Sequence, residues 1–428
     1  MRGWTAFRPL RHRNFALVWT SALVSNVGTW METVAVGDLV AVRTGQAGWT
    51  GLVAAAAFLP MGLMGPIGGA IADRVDRRRF MLVTTWLQML AAGALTILSA
   101  TGNASPGAVA LVVFVAGCVA GIGFPAYQAI LPELVPAEDL LGAVSLGQAQ
   151  FNLGRVVGPA LAGVAIALGS YTLAFAINTI SFGALVGALL LLHVPHRPNP
   201  DRSSLWRRIA VAGRAVAAEP GVRAATILIG VIALTASPFI ALIPAMARVR
   251  FHDDGGFLTS VFVTAQGVGA VAGALAVPSL AVRWGRHRLL VIGLVWLPVA
   301  LVLYGASPAA WVAAVALLNV GAAYICVFSG LGTVVQLRAP AALRARIISL
   351  YFMALGTLYP IGAAIQGPIA DRLSLGSVTV GGALLLLAIV GAIAALRPQF
   401  LRALDDLDAF PGPLAGDTEP EPAGTGSP

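Results

Sequence analysis

Lysine is absent from this chain of 428 residues, and all 27 basic side chains are arginine. That excludes a phosphate-binding loop with its lysine, and with it a P-loop ATPase within this chain. Cysteine is almost missing as well. Cys118 and Cys326 both lie inside apolar runs, so no disulfide framework is expected. No histidine–cysteine cluster has the spacing of a metal site. Charge is scarce at 11% of residues, less than half of the roughly 25% of an average soluble domain. With 58% of residues hydrophobic and a mean hydropathy of +0.86, a water-soluble globule would lack the polar surface to cover itself. Soluble enzymes and secreted disulfide scaffolds are excluded. So are nucleic-acid binders, because the arginines behind the formal charge of +9 punctuate apolar segments and form no single patch. No nucleophile–base pairing is visible, so the chain reads as no enzyme, with no cofactor and no metal.

What the sequence has is length without charge. Stretches of 20 or more residues pass without an ionisable side chain, enough for a helix to cross roughly 30 Å of hydrocarbon. Twelve spans are predicted at about 15–42, 48–72, 80–101, 108–131, 141–168 and 171–194, then 224–247, 257–282, 289–306, 309–335, 346–370 and 376–396. Helices are the form that lipid permits here, since the runs lack the alternation of barrel strands. The run after the basic segment Met1–Asn14 is too long for a cleavable signal peptide, so none is expected. Twenty-two arginines fall on one side of the spans and four on the other, with Arg155 inside a span, which predicts both termini on the cytoplasmic side.

The chain also repeats itself at an offset of 204 residues. Gly65 and Gly69 match Gly269 and Gly273, Gly117 matches Gly321, and Gly158 and Gly163 match Gly362 and Gly367. Ser145-Leu146 likewise matches Ser349-Leu350. A shared register across several spans predicts two six-helix halves in one orientation, with a site between them near mid-depth. The expected fold is all-α, in two pseudo-symmetric six-helix bundles: 1–194 and 223–397. A polar connecting loop, 195–222, joins them, and 398–428 is expected to be a disordered acidic tail.

Residues 65–79, GPIGGAIADRVDRRR, carry glycines, then Asp-Arg, then a basic pair. With FLP at 58–60, GFPAYQAILPELVP at 123–136 and FNLGRVVGPALAG at 151–163, the chain resembles the major facilitator superfamily. Within it, the resemblance is to the bacterial exporters called transmembrane secretion effectors, a group near the siderophore and macrolide exporters. It covers nearly the whole chain except the tail. It implies a bacterial inner-membrane protein that acts as a monomer, moving a small molecule by alternating access. Departures are Asp76, where the loop motif usually has glycine, and Gly117, where many proton-coupled exporters carry an arginine in span 4.

Gly65 and Gly69 share a helix face and permit close approach. Asp73 can accept from the positive N-terminus of a facing helix, and the resemblance makes span 11 that helix. Arg74, Arg77 and Arg78 would secure this cytoplasmic gate, or would only enforce topology. Glu32 is the one acid well inside a span, about 26 Å along span 1. Ser21, Ser25, Thr29 and Glu32 form a polar stripe expected to face a water-filled cavity, where Glu32 is a candidate for taking up and releasing a proton. The alternative is a helix-end carboxylate at the outer mouth, with Asp38 marking the boundary. Arg155 lies about 21 Å along span 5 beside Asn152, and either pairs with Glu32 or an anionic substrate or packs against carbonyls near Pro159. Tyr359 holds the equivalent place in the second half. Gln128, Asn319 and Tyr324 are further cavity candidates, since spans 4 and 10 line the cavity in the family resembled; Gln266 and Asn178 are polar positions elsewhere.

The expectation is export of an amphipathic or apolar small molecule, with protons as the counter-substrate if Glu32 serves coupling. The bilayer is the only other partner. The alternatives are a facilitative or uptake carrier of the same fold and a non-transporting membrane sensor or assembly partner.

Overall fold

The computed structural model describes residues 5–72, 74–168, 170–192, 205–253, 256–340 and 343–404. Among them every long element is a helix: α1 (Arg13–Thr44), α2 (Ala47–Ala72), α3 (Arg77–Ala100), α4 (Pro106–Ile130), α5 (Leu140–Ala167), α6 (Tyr171–Leu191), α7 (Leu205–Ala218), α8 (Pro220–Thr235), α9 (Phe239–Ala245), α10 (Phe257–Trp284), α11 (Arg286–Gly305), α12 (Ala310–Arg338), α13 (Arg344–Arg372), α14 (Leu375–Leu396) and α15 (Pro398–Arg402). Local chemistry sets their ends. Ser105, Ser170 and Ser374 each accept from the amide three residues on, satisfying a donor that the first helical turn leaves free. Gly45 ends α1 in the left-handed region at φ 62° and donates to the Ala41 carbonyl, the usual task of glycine just past a helix.

Ten helical units are long and apolar enough to cross a membrane, one of them the composite Pro220–Arg250. α1 and α5 add the remaining two. They are 32 and 28 residues long, and they are less apolar because they carry Glu32, Asp38 and Arg155. The result is twelve membrane-spanning segments in two six-helix bundles, as the hydropathy runs predicted.

Three departures have local causes. The seventh span is broken into α8, α9 and a π-helical turn, Met246–Arg250. Pro238 cannot donate to the helix ladder, and the freed carbonyls of Leu234 and Thr235 accept from Gln366 Nε2 at 3.1 and 2.9 Å. The segment read as a connecting loop contains the helix α7. Residues 398–404, read as part of the tail, form α15 and bury Leu404 in the second bundle's core.

The internal repeat acquires a packing reason. A Cβ at Gly158 or Gly362 would strike α1 (Trp30 Cβ at 2.6 Å) or α8 (Leu234 O at 2.4 Å), so these glycines close each bundle. One helical turn on, a Cβ at Gly163 would meet Ser260 of α10 at 2.6 Å, and one at Gly367 would meet Ala47 O of α2 at 2.7 Å. These two join the bundles to each other, as α5–α10 and α13–α2.

The second bundle has one continuous apolar core, whereas the first has two. In α1 the cores stop at Ala22 and resume at Met31, and in α6 they divide between Phe175 and Leu185. Gly28 and Glu32 of α1 meet Asn178 and Ser181 of α6 in that gap, so a polar layer crosses the first bundle at mid-depth.

Candidate functional site

Arg155 stands halfway along α5, where the two bundles meet. Its guanidinium carbon lies 5.8 Å from the centroid of the Trp30 ring on α1, within cation–π range. Its Nη2 donates to Gln266 Oε1 of α10 at 3.5 Å, a long and weak hydrogen bond. The phenols of Tyr324 on α12 and Tyr359 on α13 lie within its electrostatic reach. Tyr359 meets Phe58 of α2 edge-on, with ring centroids 5.6 Å apart. Tyr324 is tied to Ser237, in the break of the seventh span, at 3.1 Å between hydroxyls. Residues 155 and 359 are one repeat apart and come together here, so the pseudo-symmetry of the sequence converges on one point.

Glu32 is elsewhere. Its carboxylate accepts a 2.7 Å hydrogen bond from Asn178 Nδ2 of α6, within the first bundle's polar layer. Trp30 and Glu32 are two residues apart, about 200° round a helix, so the face that meets Arg155 is not the face that carries Glu32. The structure does not bring Glu32 and Arg155 together as an ion pair. Of the stripe leading to Glu32, Ser25 is buried, while Thr29 is exposed and donates to the Ser25 carbonyl of its own helix.

Carboxylates hold the bundles together at the end opposite the chain termini. Asp38 is fully buried, and accepts 2.7 Å hydrogen bonds from Tyr171 of α6 and from Thr259 of α10 in the other bundle. It is therefore no boundary marker; α1 continues to Thr44. Asp371, at the end of α13, accepts from the Ala47 and Gly48 amides of α2 at 2.6 and 2.8 Å. It places a negative charge on the positive end of that helix. Asp253 is also buried there and accepts from the Leu258 and Thr259 amides at 2.7 and 3.2 Å. Sequence reasoning missed Asp38 and Asp371. A signal existed for the second: Ala370-Asp371-Arg372 repeats the Ala72-Asp73-Arg74 of the loop motif, at the opposite end of a partner helix.

At the termini end the bundles show no such ties among the described residues. Asp73 lies outside those residues. A Cβ on Gly65 would meet nothing within 4 Å, and one on Gly69 would meet only Pro125 of the same bundle. Arg74 is exposed. Arg77 is ion-paired with Glu133, and Arg78 donates to the Leu189 and Leu190 carbonyls at the end of α6, both at 2.7 Å. Both arginines thus brace their own bundle. Among the other cavity candidates, Gln128 and Asn152 are exposed and Asn319 donates to Val315 O of its own helix at 3.0 Å. Tyr324 is the candidate that joins the Arg155 cluster.

Residues 4–421 match the family model described as transmembrane secretion effector. The chain is similar to the multidrug efflux pump Tap of Mycolicibacterium fortuitum, at 27% identity over 407 residues, covering 91% of this chain and 96% of that one. It is also similar to the enterobactin exporter EntS of Citrobacter koseri, at 26% identity over 399 residues, with 90% and 94% covered. The fold is similar to the crystal structure of a bacterial homologue of the iron transporter ferroportin in an inward-facing state. That match has a TM-score of 0.69 at 16% identity and covers 92% of this chain and 98% of that one.

Proposed function

The chain belongs to the transmembrane secretion effector family, and from that premise we propose that it exports an amphipathic small molecule by alternating access between its two bundles. The drug and siderophore efflux named for its relatives sets the cargo class. The observation that carries the reading is the Arg155 cluster, a polar and aromatic site at mid-depth between the bundles. It is closed over at one end by Asp38 and Asp371, while at the other a Cβ on Gly65 or Gly69 would meet nothing of the second bundle. The arginine distribution supports cytoplasmic termini, which makes this a state whose outer gate is shut. In the opposite state, Asp73 would latch the cytoplasmic ends of α2 and α13, as Asp371 latches their outer ends. The Arg155 cluster is built by one chain, which supports a monomer as the working unit.

Energy enters as a gradient. Glu32 is the carboxylate proposed to carry the proton, because its hydrogen-bond partner is the neutral Asn178 and its charge state leaves the outer latches untouched. One observation favours a second reading, a facilitative carrier without proton coupling: Glu32 sits inside a single bundle and pairs with no cation among the described residues.

The test is reconstitution into liposomes with an imposed pH gradient and a panel of lipophilic compounds and siderophores. Movement driven by the gradient supports the exporter, gradient-independent equilibration supports the carrier, and no movement of any compound rejects both.

A further inference from the structure

Building on the export reading, we infer that the Arg155 cluster is an anion subsite, and that the cargo carries a carboxylate or a comparable oxyanion on an aromatic or apolar body. A guanidinium at this depth needs a counter-charge or a full set of acceptors, and intramembrane arginines in general are paired or face a substrate path. Arg155 has neither within the described residues. No carboxylate among the described residues lies within ion-pair distance of it, and its hydrogen bond to Gln266 is long. Glu32 is committed to Asn178 on the other face of α1. Asp38 is eight residues beyond Trp30, about 12 Å further along the helix, and is occupied by Tyr171 and Thr259.

The neighbouring polar atoms sharpen the point. Gln266 is buried, turns its Oε1 to the guanidinium and leaves Nε2 without a hydrogen-bond partner. The guanidinium and that amide therefore present N–H groups side by side, with the Tyr359 phenol nearby as a further O–H. A site rich in donors and poor in acceptors suits an oxyanion, and a guanidinium fork matches a carboxylate in two parallel hydrogen bonds. The rings of Trp30 and Phe58 supply apolar surface on which the rest of an amphipathic molecule would rest.

The experiment uses the full-length protein in lipid nanodiscs. Its probes are aromatic acids of increasing size, 2-naphthoate and 1-pyrenebutyrate, each compared with its neutral primary amide. Binding is read by calorimetry. For the wild type at least one carboxylate should bind ten times or more tighter than its amide. Arg155→Gln should erase that preference, and Arg155→Lys should retain part of it. Gln266→Glu, which supplies an internal carboxylate to an intact Arg155, should erase it too. Should Arg155→Gln not fold, the glutamate variant still decides. Equal binding of acids and amides across the panel, absence of binding by every acid, or retained acid preference in both Arg155→Gln and Gln266→Glu would overturn the assignment. Liposome transport of the same pairs separates the two readings. Amide and acid moved equally well rejects the anion subsite and keeps the exporter, whereas drugs, siderophores and probes all unmoved rejects the exporter itself.

Discussion

Thr259 Oγ1 in the second bundle donates a 2.7 Å hydrogen bond to the buried carboxylate of Asp38 in the first. With the cap that Asp371 forms on α2, it makes the closure at the end opposite the termini depend on two carboxylates reaching across the interface. Hydrogen bonds to a charged group are worth about 1.5–3 kcal/mol each. Asp38→Asn and Asp371→Asn should each shift the population toward the outward-open state by roughly tenfold or more. A cysteine placed at Ser260, which is buried where α5 meets α10, reports this once Cys118 and Cys326 are replaced by serine. Its labelling by a membrane-impermeant maleimide should accelerate at least fivefold in either variant. Unchanged rates in both would remove these residues from the gate.

Glu32→Gln keeps the size of the side chain and an acceptor for Asn178 but cannot carry a proton. Efflux driven by an imposed pH gradient should be lost, while exchange of labelled for unlabelled cargo at equal pH persists. Efflux that still follows the gradient in the variant would take Glu32 out of the coupling mechanism.

What the sequence made legible was depth, and what it hid was rotation. Runs of hydrocarbon length are set by composition alone, so the twelve spans and the 204-residue register could be read directly. The face a residue occupies depends on which helix packs against it, and that is decided by partners far along the chain. Glu32 and Arg155 lie at similar depth and looked like a pair, yet Gly28 brings α6 against one face of α1 and Gly158 brings α5 against another. Asp38 could be read as a boundary marker in the alternative view of Glu32 because its partners, Tyr171 and Thr259, come from α6 and α10. The break at Pro238 was hidden for the same reason, since its loose carbonyls are tolerable only because Gln366 reaches them.

The C-terminal boundary gives a stability prediction. Leu404 is 3% exposed and belongs to the second bundle's core. A chain ending after Leu404 should keep the melting temperature and transport of the full protein. A chain ending after Arg397 also loses α15 and should melt several degrees lower, because burying one such leucine is worth about 2–5 kcal/mol. Thermal unfolding in detergent, followed by tryptophan fluorescence, compares the two. Equal melting temperatures would show that residues 398–404 contribute nothing to the core.

Two glycines separate packing from gating. A Cβ at Gly158 would sit 2.6 Å from Trp30 Cβ and 2.7 Å from Val27 O, so Gly158→Ala must part α5 from α1 and move the indole that faces Arg155. Overpacking of this kind costs about 1–3 kcal/mol, so both melting temperature and cargo binding should fall. Gly65 differs: a Cβ there meets nothing within 4 Å. Gly65→Val should therefore leave the melting temperature of this state within a degree or so of the wild type. If α2 must close against α13 in the other half of the cycle, the same change should cut transport tenfold or more by blocking that approach. Spin labels on the cytoplasmic ends of α2 and α13 should then lose their short-distance population. Full transport by Gly65→Val would mean that the loop-motif glycines serve the packing of this state alone and form no part of the gate.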